Sequence, residues 1–243
     1  MIHFKLDATN STNSYLKELV REGELHNWTV VSAREQTRGR GQQGASWFSD
    51  EAKNLTFSVL INDTGLKATD QFLLNCAIST GMFRVLKSYE IPRLKVKWPN
   101  DIMSGSSKLA GILIENSLIN DRIAYSIVGI GLNVNQEEFP SDLPNATSMK
   151  QRTRKHYNRD ELLEELIESF KREIDLIRSG QHVLLRKNYT EQMYRSKTPR
   201  MFRTPGGQPF MAQIEGTTEK GLLILSKEDG SIAHYAFKEI EYL

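Results

Sequence analysis

Apolar residues recur along the chain with two different periods. A spacing of three to four residues predicts helices before Gly23, at about 69–89, from Asn158 to Gly180, and at 183–195. Alternating or β-branched apolar runs predict strands at 2–6, 28–33, 54–61, 94–98, 109–119 and 122–134. Strands and helices interleave, and the last two strands resemble a hairpin. The pattern therefore predicts an α+β fold, a mixed β-sheet covered by helices.

The pattern changes near residue 196. Beyond it, proline and glycine separate short alternating segments at 210–215, 221–226 and 232–236. Such spacing is typical of a small β-barrel-like module. We place a domain boundary there, which predicts a main domain of residues 1–195 and a C-terminal domain of residues 196–243.

Composition narrows the class of protein. Of the 243 residues, 39% are hydrophobic and 26% are charged, which excludes a disordered chain. The formal net charge of +2 argues against a dedicated nucleic-acid binder. A single cysteine, Cys76, cannot form an intramolecular disulfide, and no apolar stretch reaches the roughly 20 residues of a membrane span. We therefore expect a soluble cytoplasmic protein.

A glycine-rich loop follows the second predicted strand. Gly39, Gly41 and Gly44 match G-x-G-x-x-G, but residues 45–53 are short and polar and lead into another strand. A dinucleotide site needs a helix at that point, so a nicotinamide-dependent oxidoreductase is disfavoured. The loop remains either a mobile surface loop or an anion-binding loop that carries Arg40.

Three further features allow two interpretations each. Lys97 and Asp101 flank an ordinary Pro-Asn turn, or supply a phosphate ligand and a Mg²⁺ ligand. Lys108 precedes an apolar strand, where a lysine commonly serves solubility. Gly129 and Gly131 mark either a bulge or space for a ligand against the sheet.

Two classes of chemistry lack support in the sequence. The five histidines are scattered, without metal-ligand spacing, and no G-x-S-x-G motif is present. Cys76 lies in an apolar helix pattern and is expected to be a buried spectator. By contrast, three adjacent hydrogen-bonding residues at 11–13 exceed what capping one helix requires.

Five motifs follow one another in a specific order. They are Ser-Thr-Asn at 11–13, Gln-x-x-Gly-Arg-Gly-x-x-Gly-x-x-Trp at 36–47, Lys-Trp-Pro-Asn-Asp at 97–101, Lys-Leu-Ala-Gly-Ile-Leu-Ile-Glu at 108–115 and Gly-x-Gly-Leu-Asn-Val-Asn at 129–135. This order closely resembles that of biotin–protein ligases, over about residues 9–135. The resemblance implies a catalytic domain like that of class II aminoacyl-tRNA synthetases and a small SH3-like C-terminal β-barrel.

The resemblance also implies a two-step reaction. Biotin and ATP, with Mg²⁺, give biotinyl-5′-AMP, and a lysine of the apo biotin carboxyl carrier protein of acetyl-CoA carboxylase then takes the biotinyl group. Both steps build charge on oxygen atoms, so fixed cations and backbone amides are the expected machinery.

The resemblance assigns roles residue by residue. It implies biotin contacts from Ser11, Thr12, Asn13, Gln36, Gly39, Arg40, Gly41, Gln42, Lys108, Gly111, Gly129 and Gly131. It implies ATP or adenylate contacts from Arg40, Trp47, Lys97, Asn100 and Asn133, with Trp47 stacked on adenine. Asp101 is the implied Mg²⁺ ligand, and Lys108 with Arg40 forms the implied catalytic pair.

Several alternatives stay open beside this interpretation. Lipoate–protein ligases resemble the same family, although hydrogen bonds from Thr12 and Gln36 to a ureido ring would reject lipoate. A non-catalytic nucleotide-binding module is disfavoured by the presence of both Lys108 and Arg40. A homodimer through a sheet edge is left undecided. Since the chain starts directly at the first strand, we expect no DNA-binding winged helix and no operator binding.

One departure from the family leads to a prediction. Some members carry arginine where this chain has Gln42, and that arginine helps to retain the adenylate. Gln42→Arg should slow release of biotinyl-AMP, because Gln42 can donate a hydrogen bond but lacks the positive charge of arginine. The dissociation rate of the adenylate measures this effect, and an unchanged rate would refute it.

Overall fold

The computed structural model describes residues 2–23 and 25–243, and its main layer is a seven-stranded mixed sheet. The strands are β1 (His3–Thr9), β2 (Val30–Gln36), β3 (Leu55–Asn62), β4 (Leu94–Lys97), β5 (Asp101–Ser104), β6 (Ser107–Ile119) and β7 (Arg122–Leu132). They lie in the order β1-β2-β3-β7-β6-β5-β4. The β1–β2 pair is parallel and the other neighbours are antiparallel, so the predicted mixed sheet is confirmed.

Helices cover both faces of this sheet. They are α1 (Thr12–Glu22), α2 (Phe72–Ser88), α3 (Met149–Thr153), α4 (Arg159–Arg178) and α5 (His182–Glu191), with short 3₁₀ turns at Gln42–Gly44 and Ala68–Asp70. Strand alternation sends Val31 and Leu60 into a small cluster under α1. Their neighbours Val30 and Val59 point the other way, into the large core with α2 and α4. Because α2 is apolar on nearly all sides, it forms the centre of that core.

Short elements were the ones that the sequence patterns missed. The predicted hairpin is confirmed as β6 and β7, and the Asn158 side chain caps α4 by accepting from two backbone amides. However, β5 is only four residues long and begins inside what reads as an Asn-Asp turn. Helix α3 is five residues long and lies in a polar segment without periodicity. Elements this short carry too few apolar positions to show a period.

A second sheet follows the helices. Its strands are β8 (Arg200–Arg203), β9 (Phe210–Thr217), β10 (Leu223–Lys227), β11 (Ile232–Tyr235) and β12 (Glu241–Tyr242), in the order β11-β10-β9-β8-β12. All its pairs are antiparallel, and within the described chain no ladder joins β11 to β12. It is therefore an open antiparallel sheet where the sequence predicted a barrel. Its buried residues Phe202 and Leu225 belong to the same core cluster as α2.

One glycine lies at the contact between the two sheets. Gly221 lies just before β10, in the left-handed region at φ +85°, and its carbonyl accepts a 2.9 Å hydrogen bond from Trp98 Nε1. A β-carbon on Gly221 would overlap the ring of Phe72 at the start of α2. Only glycine meets both the backbone and the packing requirement here.

We expect Gly221→Ala to reduce the free energy of unfolding by roughly 2–4 kcal/mol, from backbone strain together with the overlap with Phe72. Gly230→Ala is the matched control, because Gly230 has a similar φ of +81° but no atom near its missing β-carbon. It should lose only the backbone part, about 1 kcal/mol. Urea unfolding of both variants measures the difference. Equal losses would show that the packing against Phe72 is unimportant.

Candidate active site

A cavity of about 380 Å³ lies where the main sheet meets the second sheet. Most of the residues proposed from the sequence line it: Ser11, Thr12, Asn13, Gln36, Arg40, Gly41, Gln42, Trp47, Lys97, Asn100, Asp101, Lys108, Gly111, Gly129 and Gly131. Two do not line this cavity. Gly39 borders an adjacent groove, and Asn133 borders a smaller cavity of about 270 Å³. Trp47 lines all three spaces.

A chain of hydrogen bonds crosses one end of the cavity. Gln36 Oε1 accepts from the backbone amide and the hydroxyl of Thr12, at 2.8 and 3.1 Å. The Ser58 hydroxyl lies within 2.7 Å of Thr12 Oγ1 and donates to Asn13 Oδ1 at 2.5 Å. Since Ser58 is fully buried, these polar groups hold each other in fixed orientations. Ser11, the N-cap residue of α1, makes no side-chain capping bond, so capping does not occupy its hydroxyl.

Glu115 extends this chain to the glycine-rich loop. Its Oε2 accepts from Asn13 Nδ2 at 2.7 Å and from Arg40 Nη2 at 2.9 Å. The loop itself folds back as a tight turn, in which the Trp47 amide donates to the Gly39 carbonyl at 2.9 Å. A β-carbon on Gly39 would overlap the Trp47 carbonyl, so this turn requires glycine. Arg40 thereby reaches the sheet while its side chain remains 44% exposed.

The second cation of the cavity is paired on the neighbouring strand. Lys108 Nζ lies 2.7 Å from Asp101 Oδ1. The register of the β5–β6 ladder shifts between Ile102 and Met103, so that Lys108 lies opposite Met103, two residues from Asp101. Lys108 Nζ also lies 5.7 Å from the centre of the Trp47 ring. Lys108 is fixed by its backbone as well, because its amide donates to the Asn145 carbonyl at 2.6 Å.

The turn between β4 and β5 is held from several sides. Its Trp98–Pro99 peptide bond is cis, and the Pro99 carbonyl accepts from Tyr189 Oη at 3.0 Å and from Asn75 Nδ2. Asn100 is buried and donates to the Ile112 carbonyl at 2.6 Å. The Asn100 amide nitrogen is therefore occupied within the fold.

The two glycines of β7 leave room for side chains of the site. The ladders on both sides of β7 are regular at Gly129 and Gly131, which excludes the bulge interpretation. A β-carbon on Gly131 would overlap the Trp47 indole, and one on Gly129 would overlap the Asn13 amide. Gly111 lies next to both Trp47 and Lys108. These glycines therefore provide a floor on which the site residues rest.

Three buried polar atoms of residues at the cavity or the adjoining small cavity lack partners among the described residues. They are Trp47 Nε1, Asn133 Oδ1 and Tyr242 Oη. The Asn133 amide nitrogen donates to the Thr147 carbonyl at 3.0 Å, which fixes the amide plane and leaves the oxygen free. Unpaired buried polar atoms are uncommon, and a ligand is one way to pair them.

Sequence reasoning missed three parts of the site. Ser58 and Glu115 carry the hydrogen-bond chain. The C-terminal segment also lines the cavity, through Phe237 and Ile240 before β12 and Glu241 and Tyr242 in it. A serine inside an apolar strand was a signal for Ser58. Nothing in the sequence indicated that residues 237–242 reach the site, because the contact depends on how the two sheets pack.

Covalent thiol chemistry and a preformed metal cluster find no support in the structure. Burial raises the pKa of the Cys76 thiol to about 12, so the reactive thiolate is suppressed at neutral pH. Among the residues that the structure describes, no three acidic, histidine or cysteine side chains gather to hold a metal ion. No helix in that part of the chain is both long and apolar enough to cross a membrane.

Comparison with known proteins gives one consistent result. The model of the biotin/lipoate A/B protein ligase family matches residues 6–133. The bifunctional ligase/repressor BirA of Bacillus subtilis is 30% identical over 231 residues, which cover 92% of this chain and 69% of that protein. The biotin–[acetyl-CoA-carboxylase] ligase of Paracoccus denitrificans is 33% identical over 129 residues, 53% of either chain.

A solved structure extends the similarity to the whole chain. The biotin protein ligase from Aquifex aeolicus in complex with biotin and ATP is 27% identical and has a TM-score of 0.82. The similarity covers 100% of this chain and 99% of that one, so it includes both sheets. The family model matches more than half of the residues of this chain, so the chain belongs to the biotin/lipoate A/B protein ligase family.

Proposed function

We propose that this ligase activates biotin with ATP and transfers it to a lysine of the apo biotin carboxyl carrier protein of acetyl-CoA carboxylase. The observation that carries the proposal is the convergence of Lys108, Arg40 and Lys97 on one cavity whose other end is a fixed hydrogen-bonding network. A carboxylate and a triphosphate are the anions that such a cation cluster suits. A polar heterocycle is the kind of group that could form hydrogen bonds with the network at the other end.

The first step joins two anions. A carboxylate oxygen of biotin attacks the α-phosphorus of ATP, the bond from that phosphorus to the bridging oxygen breaks, and pyrophosphate leaves with the electron pair. Lys108 and Arg40 would hold the biotin carboxylate and the α-phosphate together and stabilise the negative charge as it moves to the leaving group.

The second step releases AMP. A deprotonated lysine amine of the carrier protein attacks the acyl carbon of biotinyl-5′-AMP, and the acyl–oxygen bond breaks. The amide nitrogen loses a proton, and the phosphate oxygen of AMP keeps the electron pair. A cation beside that oxygen lowers the cost of its departure, and Lys108 would supply this cation.

Both catalytic cations are paired with carboxylates in the structure. Arg40 contacts Glu115 at 2.9 Å and Lys108 contacts Asp101 at 2.7 Å. These pairs prevent uncompensated charge in the cavity before substrates arrive. An incoming anion would replace Glu115 beside Arg40, or Asp101 beside Lys108. The displaced carboxylate would then turn away from its cation.

Asp101 fits the implied Mg²⁺ ion. Mg²⁺ is commonly bound by one or two carboxylates together with substrate phosphates, and Asp101 offers one carboxylate in the wall of the cavity. Bound with the nucleotide, the ion would neutralise phosphate charge. The exchange of Lys108 from Asp101 to the substrate would leave this carboxylate free for the metal.

Biotin is favoured over lipoate by the polar end of the cavity. Thr12, Asn13, Gln36 and Ser58 present donors and acceptors that a ureido ring can satisfy. The dithiolane ring of lipoate has no N–H or C=O group, so it could form no hydrogen bonds with the spare donors and acceptors of these residues. We place the reaction in the cytoplasm, where the lone Cys76 thiol stays reduced.

Lys108→Ala should lower the rate of biotinyl-AMP formation by about 100-fold or more, because it removes a cation from the transferred phosphate. The assay mixes enzyme, biotin, ATP and Mg²⁺ and follows the adenylate by mass spectrometry, with lipoate in parallel. Lys95→Ala is the control, since Lys95 is exposed on the edge strand β4 and does not line the cavity, so the variant should retain full activity.

The same assay separates the alternatives. Undiminished adenylate with Lys108→Ala would remove Lys108 from catalysis. Adenylate from lipoate alone would make the protein a lipoate ligase. If the wild-type protein forms adenylate from neither acid, it would instead be a nucleotide-binding module.

Thr12→Val should raise the KM for biotin by about tenfold or more while kcat changes little, because the variant leaves Gln36 and Ser58 without a partner hydroxyl. Thr12→Ser keeps that hydroxyl and should stay close to wild type. A biotin KM that is equal in both variants would show that the network takes no part in biotin recognition.

A further inference from the structure

Lys97 differs from the other two cations of the cavity. Arg40 and Lys108 each contact a carboxylate, whereas no carboxylate of the described chain lies within ion-pair distance of Lys97. Instead its ammonium group lies 4.9 Å from the centre of the Tyr242 ring. Both residues line the cavity. Lys97 is thus the cation that an anionic ligand reaches without first displacing a carboxylate.

Tyr242 comes from the second sheet and is itself firmly held. It lies on the edge strand β12, whose partner is β8, and its ring packs on Phe202 at 5.3 Å. The hydroxyl of Tyr242 is buried and has no hydrogen-bond partner among the described residues. The hydroxyl therefore does not account for the position of Tyr242. What Tyr242 presents to Lys97 is the face of its ring.

We propose that Tyr242 is a positioning residue that holds Lys97 toward the triphosphate of ATP. The face of an aromatic ring attracts a cation without neutralising its charge. A carboxylate in the same place would compete with phosphate for the amine. The proposal rests on the proposed function, because it takes ATP as the ligand.

The environment of Lys97 makes such a partner necessary. Burial lowers the pKa of its ammonium group, nearby Lys108 and Arg195 lower it further, and Asp101 acts in the opposite direction. A flexible lysine in this setting would turn toward solvent, where its charge is better hydrated. Contact with the Tyr242 ring offsets part of that tendency.

The same sheet contains a matched control. Lys227 Nζ lies 5.1 Å from the centre of the Phe210 ring, and Phe210 packs on Phe202 at 6.4 Å. This pair repeats the geometry of Lys97 and Tyr242, but neither member lines the cavity. Phe210→Leu therefore reproduces the loss of packing without changing the surroundings of Lys97.

The experiment measures apparent KM values for ATP and biotin during biotinyl-AMP formation by the full chain. Tyr242→Leu should raise the ATP KM by about tenfold and the biotin KM by less than about twofold. Tyr242→Phe should restore the wild-type ATP KM, and Phe210→Leu should leave it unchanged. Replacing Tyr242 by pentafluorophenylalanine keeps the ring but reverses the charge of its face, so it should behave like Tyr242→Leu.

A double variant tests whether Tyr242 acts through Lys97. Lys97→Met should also raise the ATP KM, and adding Tyr242→Leu to it should have no further effect. The proposal is overturned if the pentafluorophenylalanine variant binds ATP normally, or if the two substitutions add fully. Should Tyr242→Leu fail to fold, the fluorinated ring alone decides. Failure of the wild-type protein to form adenylate would instead overturn the proposed function.

Discussion

The gathering of three cations in one cavity is the constraint on which the site depends. Arg40, Lys97 and Lys108 arrive from a loop and two strands, and each requires a partner before any substrate is present. Glu115 and Asp101 partner two of them directly. A carboxylate is a suitable partner for a cation that must later bind substrate, because the incoming anion replaces the carboxylate and the cation keeps one ion pair throughout. The ring beside Lys97 suits a cation that stays in place.

Small residues on β6 and β7 make this convergence sterically feasible. The Trp47 indole lies over Gly131 and beside Gly111, so the loop that carries Arg40 can approach the sheet closely. The Asn13 amide lies over Gly129 in the same way, and through Glu115 it joins the helix start to that loop. Two glycines in one strand would ordinarily weaken it, but the loss is offset here because the strand lies in the middle of the sheet.

How far the sequence could predict the structure depended on the range of the interaction. The hairpin of β6 and β7 and the start of α4 at Asn158 rest on local patterns, and both were predicted correctly. The order of the five motifs predicted that most of their residues would share one site, because the same order occurs in a known family of enzymes. Ser58 and Glu115 were missed because their roles come from partners more than 40 residues away. Strand β5 was missed because four residues between two turns show no period.

The second sheet shows why a boundary drawn on composition says little about function. Its sequence pattern of short alternating segments differs from the rest of the chain. Yet Phe202, Ile214 and Leu225 belong to one core cluster with residues of α2 and α4. The Trp98 side chain donates to Gly221 across the junction, three residues before Asp101 in the chain. A displacement of the second sheet would therefore move the turn that carries both Lys97 and Asp101. Because the helices and the second sheet fix this turn together, folding of the whole chain is what places the cations of the cavity.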